Sequence, residues 1–203
     1  ILDIQIAEWI PSTRTDLILW LDASDSSTIS ESSSFVSQWK DKSGMNNHAS
    51  QSNDSNMPQT IFSDRNSSSV INFDGNDCLV VENESSFDLD KFSIFAVFSG
   101  SGTIFSKNST NVGTNSSARR KLQLKKNQFS SGADGSFLGF NIDTNSSETI
   151  IIGFASSSAS SHRYSINGTL RNSSKNLSTD VFNDTFHCQI QTIDSSEHRL
   201  PVH

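Results

Sequence analysis

The sequence predicts an all-β protein built as a sandwich, and three observations carry that expectation. Short apolar runs recur along the 203 residues with Gly, Asn, Asp and Ser between them, while no stretch holds apolar residues at the spacing of a helix face. Ser makes up roughly a fifth of the chain, a composition that pulls toward disorder, yet 14 Phe and 3 Trp supply bulky core material. Turn residues fall where strands must reverse: Asn167-Gly168 suits a type I′ turn, in which both residues tolerate positive φ, and Asp74-Gly75-Asn76-Asp77 joins two further runs. The length suits one well-buried domain and is short for two.

In chain order, strands are expected at 4–10, 17–22, 36–40, 70–74, 78–82, 92–98, 103–107, 121–125, 137–143 and 149–154, followed by 164–166 paired with 169–171. Ile4, Ile6, Trp9 and Ile10 make the first a strong β-former, and Pro11 separates it from the next strand. The segments 26–29 and 87–91 read as short helical turns. In 92–98, Phe92, Ile94, Ala96 and Phe98 alternate with Ser93, Phe95 and Val97, so both faces are expected to be buried between layers or under a covering segment. Leu122 and Leu124 alternate with Lys121, Gln123 and Lys125, the pattern of a half-buried strand. The Ser-rich pieces at 30–34, 52–56, 66–69, 108–118 and 156–161 are expected as loops rather than linkers between domains.

A net charge of −7 argues against a nucleic-acid partner, which needs clustered Lys and Arg in a favourable overall field. The longest apolar runs, 17–21 and 150–155, fall far short of a bilayer span. The chain begins at Ile1 without a signal-like segment, as expected of a processed mature chain or an excised piece. Asn-x-Ser/Thr sequons stand at Asn53, Asn66, Asn83, Asn108, Asn115, Asn145, Asn167, Asn172, Asn176 and Asn183, against the roughly five that random placement would give. They read either as accidents of a Ser- and Asn-rich composition or as acceptors on a densely glycosylated extracellular or cell-surface chain. Cys78 and Cys188 are the two cysteines; they form one disulfide, or Cys78 is simply buried in a strand.

The segments Leu19-Trp20-Leu21-Asp22-Ala23-Ser24, Trp39-Lys40-Asp41-Lys42-Ser43-Gly44-Met45-Asn46-Asn47-His48-Ala49, Val70-Ile71-Asn72-Phe73-Asp74-Gly75 and Phe92 to Phe98 succeed one another in a recognisable order. Over residues 16–107 the chain resembles laminin-G-like domains of the concanavalin A-like lectin and glucanase superfamily. Beyond about residue 120 only the strand rhythm and the Asn167-Gly168 hairpin match. The resemblance implies an antiparallel jelly-roll β-sandwich over 14–203, with residues 1–13 as an extra N-terminal strand or arm. That fold hosts lectins, adhesion modules, hydrolases and structural domains alike.

Trp20 and Trp39 stack on sugars or pack in the core; their apolar neighbours favour the core. Asp41, with Ser43 and Gly44, suits a turn closed by its own side chain. Asp74 and Asp77 offer oxygen ligands for Ca²⁺, although two acids around Gly75 are also what a tight turn uses. The glucanases of the superfamily place acids along one strand as E-x-D-x-x-E, and the nearest approach here is Glu82-Asn83-Glu84, whose alternate residues would share a strand face. The five His show no metal-ligand spacing, so no catalytic centre and no cofactor other than Ca²⁺ is expected. The cluster Arg119-Arg120-Lys121 with Lys125-Lys126 reads as a solvated strand face or as a dock for an anionic glycan or acidic neighbour.

Residues 1–10 form a strand outside the implied sandwich, while Phe186 to Ile193 is short for its closing strand. Donation of the first strand to the sheet edge of the next subunit would satisfy both and build a filament; folding back as an ordinary edge strand is the other possibility. The expected function is therefore a non-catalytic extracellular structural or adhesive subunit, glycosylated and self-assembling. The alternative is a carbohydrate-binding module of a larger secreted protein.

Overall fold

The computed structural model describes residues 11–63, 68–82, 84–87, 92–100, 103–109, 120–125, 128–133, 136–141, 150–158, 161–166, 169–172 and 186–191. Among them the regular structure is strand, with short 3₁₀ turns between and no α-helix. The strands are β1 (Ile29–Ser32), β2 (Phe35–Trp39), β3 (Ala49–Ser50), β4 (Gln59–Ser63), β5 (Ser68–Asn72), β6 (Cys78–Val81), β7 (Phe92–Phe98) and β8 (Thr103–Ser109). They continue as β9 (Arg120–Lys125), β10 (Gln128–Ala133), β11 (Ser136–Asn141), β12 (Ile150–Ser158), β13 (Ser161–Ile166), β14 (Thr169–Asn172) and β15 (Phe186–Gln191). The larger sheet runs β11-β10-β9-β8-β15-β6-β3-β2-β4-β5, with β1 also paired to β2; the smaller runs β14-β13-β12-β7. Every described ladder is antiparallel, so the protein is all-β as expected. Among the described residues no helix is long and apolar enough to cross a membrane.

The core lies where β2, β3 and β6 meet. Val36, Ala49, Leu79, Val81 and Phe87 are buried there, and Ile18, Leu19, Leu21, Ile29, Trp39, Ile71, Phe73 and Phe105 pack against them. Trp39 is thus a packing residue, in keeping with its apolar neighbours in sequence.

Several local expectations give way to the structure. Residues 17–22 are not a ladder strand: the Trp20 carbonyl accepts from the Lys42 N–H at 2.8 Å, but the Trp20 N–H donates to the Asp41 carboxylate. A side chain has taken the place of a neighbouring strand's carbonyl. In β7, Phe92, Ile94, Ala96 and Phe98 are half-buried while Phe95 and Val97 are 65% and 68% exposed, so its second face is not covered as expected. Ser-rich stretches also enter strands, at Ser30 and Ser32 in β1, Ser68 and Ser69 in β5, and Ser156 to Ser158 in β12. A 3₁₀ turn stands at Glu84–Phe87, and residues 88–91 of the turn expected at 87–91 lie outside the described residues. β6 ends at Val81 before it, so Glu82 and Glu84 do not share a strand face.

The pairing of β6 with β15 bears on the cysteines. Cys78 lies across from Gln191 and Cys188 across from Val81. Three residues of offset separate the two Cα positions by roughly 11 Å. A disulfide spans at most about 7 Å between Cα atoms, so this register does not allow the expected bridge. The N-terminal strand residues Ile4, Ile6, Trp9 and Ile10 lie outside the described residues; within the arm, Pro11–Thr13 form a 3₁₀ turn.

The reversal between β1 and β2 is tight, because Ser32 pairs with Phe35 and leaves only Ser33 and Ser34 to turn the chain. Both are left-handed, at φ 53° and 69°, as a type I′ turn demands, although neither is the Asn or Gly that adopts this conformation cheaply. Replacing them as Ser33→Asn with Ser34→Gly should stabilise the fold by about 0.5–1 kcal/mol. An upward shift of the urea midpoint without a change in slope is the expected result.

Candidate functional site

The loop after β2 is organised by the Asp41 carboxylate. One oxygen accepts from the Trp20 N–H at 2.8 Å and the Ser43 N–H at 2.9 Å; the other accepts from the Ser43 hydroxyl at 2.6 Å and the Asn47 N–H at 3.0 Å. The Asp41 N–H donates to His48 Nδ1 at 3.0 Å, and Asn47, fully buried, donates from Nδ2 to the Ile18 carbonyl at 2.6 Å. Lys42 turns outward, ion-paired with Asp22 at 2.9 Å and Asp25 at 2.7 Å, its ammonium 4.5 Å from the Trp20 ring centroid. Hydrogen bonds from Lys42 and Ser27 hold the Asp25 carboxyl below its ordinary range, and Asp25 in turn raises Lys42. These groups spend their hydrogen bonds on one another and on the backbone, and so build architecture.

An open cleft of about 340 Å³ is lined by Phe35, Asp54, Ser55, Met57, Gln59, Asn72, Asp74 and Asp77. Its floor is one register row across three strands: Phe35 of β2 opposite Gln59 of β4, and Gln59 opposite Asn72 of β5. One step further on the same face, Ile61 and Val70 face each other across the hairpin and are exposed. The sequence offered no signal for this row, because a register is needed to align an aromatic and two amides from distant segments.

Two turns form the wall. The 3₁₀ turn Asp54–Asn56 is capped by Asn53, whose Oδ1 accepts from the Ser55 N–H at 3.1 Å and the Ser55 hydroxyl at 2.8 Å. Asn56 Nδ2 donates to the Asn76 carbonyl and Asn76 Nδ2 to the Ser55 carbonyl, both at 2.8 Å, so the two turns clamp each other. The Asp74–Asp77 turn closes through Asp77, which accepts from the Asp74 N–H at 2.9 Å, while Gly75 takes φ 112°. Burial, with the Asp74 carboxylate beside it, raises the Asp77 carboxyl above its ordinary range despite that hydrogen bond.

Asp74 and Asp77 are therefore brought together, but as a turn. Asp74 Oδ1 accepts from the Asn76 N–H at 3.4 Å while Asp77 holds Asp74, and no group of three His, Cys, Asp or Glu able to hold a metal occurs among the described residues. A calcium ion takes about six to eight oxygens, a set these two residues do not fit. Of the sequons, Asn53 is exposed beside the cleft, Asn108 lies in β8 between β15 and β9, and Asn172 ends β14, the outermost described strand of the smaller sheet. Asn66, Asn83, Asn115, Asn145, Asn167, Asn176 and Asn183 fall outside the described residues.

No family model matches the chain, and no curated protein matches it in sequence. Among solved structures it is similar to the crystal structure of the binding domain of Paraclostridial Mosquitocidal Protein 1, at 14% identity and a TM-score of 0.42. The match covers 83% of this chain and 49% of that one, so the chain spans about half the length of that neighbour.

The two carboxylate environments predict opposite responses. Asp41→Ala leaves the Trp20, Ser43 and Asn47 N–H groups without their acceptor and should lower stability by about 3 kcal/mol or more, read from denaturant unfolding. Asp77 has a raised folded pKa, so its contribution is fully present below its unfolded value of 3.8 and is lost as pH rises through the folded value. Asp77→Asn keeps an acceptor for the Asp74 N–H and removes the charge. Its melting temperature should exceed that of the parent at pH 7, with the gain vanishing below about pH 3.8.

Proposed function

We propose that the chain is a non-catalytic recognition module of an extracellular jelly-roll β-sandwich, and that the cleft binds a neutral glycan. The register row Phe35–Gln59–Asn72 beneath an acid-edged wall carries this reading. A sugar ring has an apolar face of C–H groups and a rim of hydroxyls that both donate and accept. Phe35 and Met57 offer apolar surface to the first; Gln59 and Asn72 donate and accept, and the carboxylates of Asp54 and Asp74 accept from hydroxyl pairs. A volume of about 340 Å³ lies at the small end of ligand sites, which run about 300–1,000 Å³, and suits a short sugar epitope. The exposed Ile61 and Val70 extend the apolar floor along the hairpin.

The resemblance of residues 16–107 to laminin-G-like domains supports the sandwich and is compatible with lectin or adhesive roles. Assembly through residues 1–10 rests on a segment outside the described residues.

A glycan array followed by titration calorimetry tests the proposal. A saturable neutral-glycan ligand is expected, with Phe35→Ala and Asn72→Ala each weakening it about tenfold, or about 1.4 kcal/mol, while melting temperature is kept. Binding that survives both changes but disappears when Arg120 and Lys121 are neutralised would place recognition on the basic strand instead.

A further inference from the structure

We propose that Asn53 is an N-glycan acceptor and that its glycan covers the mouth of the cleft. The modification is argued from the turn's own geometry, and its consequence rests on the cleft's role as the binding site.

Asn53 is exposed and begins the sequon Asn53-Asp54-Ser55. Its side chain is already in contact with the hydroxyl that defines a sequon: Ser55 donates both N–H and O–H to Asn53 Oδ1, at 3.1 and 2.8 Å. The Gln51 side chain accepts the Asn53 N–H at 3.0 Å and steadies the same turn. Donation to Oδ1 leaves Nδ2 pointing away from these contacts. The turn spans only neighbouring residues, so it can form in a nascent chain before any sheet exists. The donor is a polyprenyl-pyrophosphate-linked oligosaccharide. Asn53 Nδ2 attacks its anomeric carbon, an N–C bond forms, and the C–O bond to pyrophosphate breaks with the electron pair leaving on pyrophosphate. One amide proton passes to a base.

The two residues after Asn53, Asp54 and Ser55, line the cleft, so the glycan is anchored at its rim. The reciprocal Asn56 and Asn76 bonds fix that rim to the opposite turn, so the anchor does not swing away from the opening. Asn108 offers no such placement, because its backbone is paired with Arg120 on one side and His187 on the other.

The chain's two methionines read the covering directly. Met57 lines the cleft, whereas Met45 lies in the Asp41 loop, outside the cleft lining, and is 48% exposed. The chain is secreted from an N-glycosylating host, and a peptide:N-glycanase in heavy-oxygen water converts occupied Asn to labelled Asp for mapping by mass spectrometry. Asn53 should carry the label; an unlabelled Asn53 overturns the proposal. Peroxide oxidation is then compared between the glycosylated chain, the enzymatically deglycosylated chain and Asn53→Asp, which matches the deglycosylated product and keeps the cap. The ratio of Met57 to Met45 oxidation should be lower by about threefold in the glycosylated chain alone, since methionine oxidation tracks exposure. Equal ratios in all three overturn the covering. Neither readout depends on a ligand, so failure of the glycan-binding reading in calorimetry would stand apart from failure here.

Discussion

The Asp41 carboxylate accepts four hydrogen bonds, from Trp20, Asn47 and both donors of Ser43, and the rest of the described core depends on it. A buried carboxylate is costly unless its lone pairs are filled, and charge-assisted bonds to N–H groups fill them well. What the arrangement fixes is a position. Trp20 is twenty-one residues upstream of Asp41 and has no β-ladder, so this carboxylate and the Lys42 N–H hold its backbone. With Trp20 placed, Ile18, Leu19 and Leu21 reach the cluster around Val36, Leu79 and Val81. The loop conformation is tuned to the same end: Gly44 at φ 90° and Asn46 at φ 59° bend the chain so that its N–H groups converge on one anion.

That anchoring explains why this loop is legible in the sequence while other parts are not. An Asp followed two residues later by Ser and then Gly predicts a side-chain-closed turn from local chemistry alone, and Asp41 closes one. The same local logic misreads 17–22. Its apolar run has the composition of a strand, but a strand also needs a partner, and here the partner is a carboxylate from a distant loop. It misses β1 for the converse reason: Ser33-Ser34 carries no hairpin signal, and the ladder forces both residues into a conformation they do not favour. In β7 the alternation is apolar on both faces, but whether a face is covered depends on what packs over it, which periodicity does not encode.

The cleft illustrates the same division. Asp74 and Asp77 are visible in the sequence as a pair of acids around Gly75, and that spacing is enough to imply their turn role. Their position opposite the Asn53 turn is not implied, because Asn56 and Asn76 are twenty residues apart and meet only when β4 and β5 fold back together. A Ser- and Asn-rich composition thus has a structural use beyond solubility. Short side chains that both donate and accept can lock two loops to each other's backbone, giving a rim that is ordered in advance.

The charge of the cleft narrows what such a rim can hold. Asp54, Asp74 and Asp77 line it with no Lys or Arg among the lining residues, in a chain whose net charge is −7. Sulfated or sialylated sugars would add like charge to a site where burial and a neighbouring carboxylate already raise Asp77. A neutral hydroxyl brings no such repulsion, and its hydrogen bond to a carboxylate is charge-assisted. On the proposed reading, electrostatics acts as exclusion and the Phe35 row as attraction, and the combination defines the class of ligand.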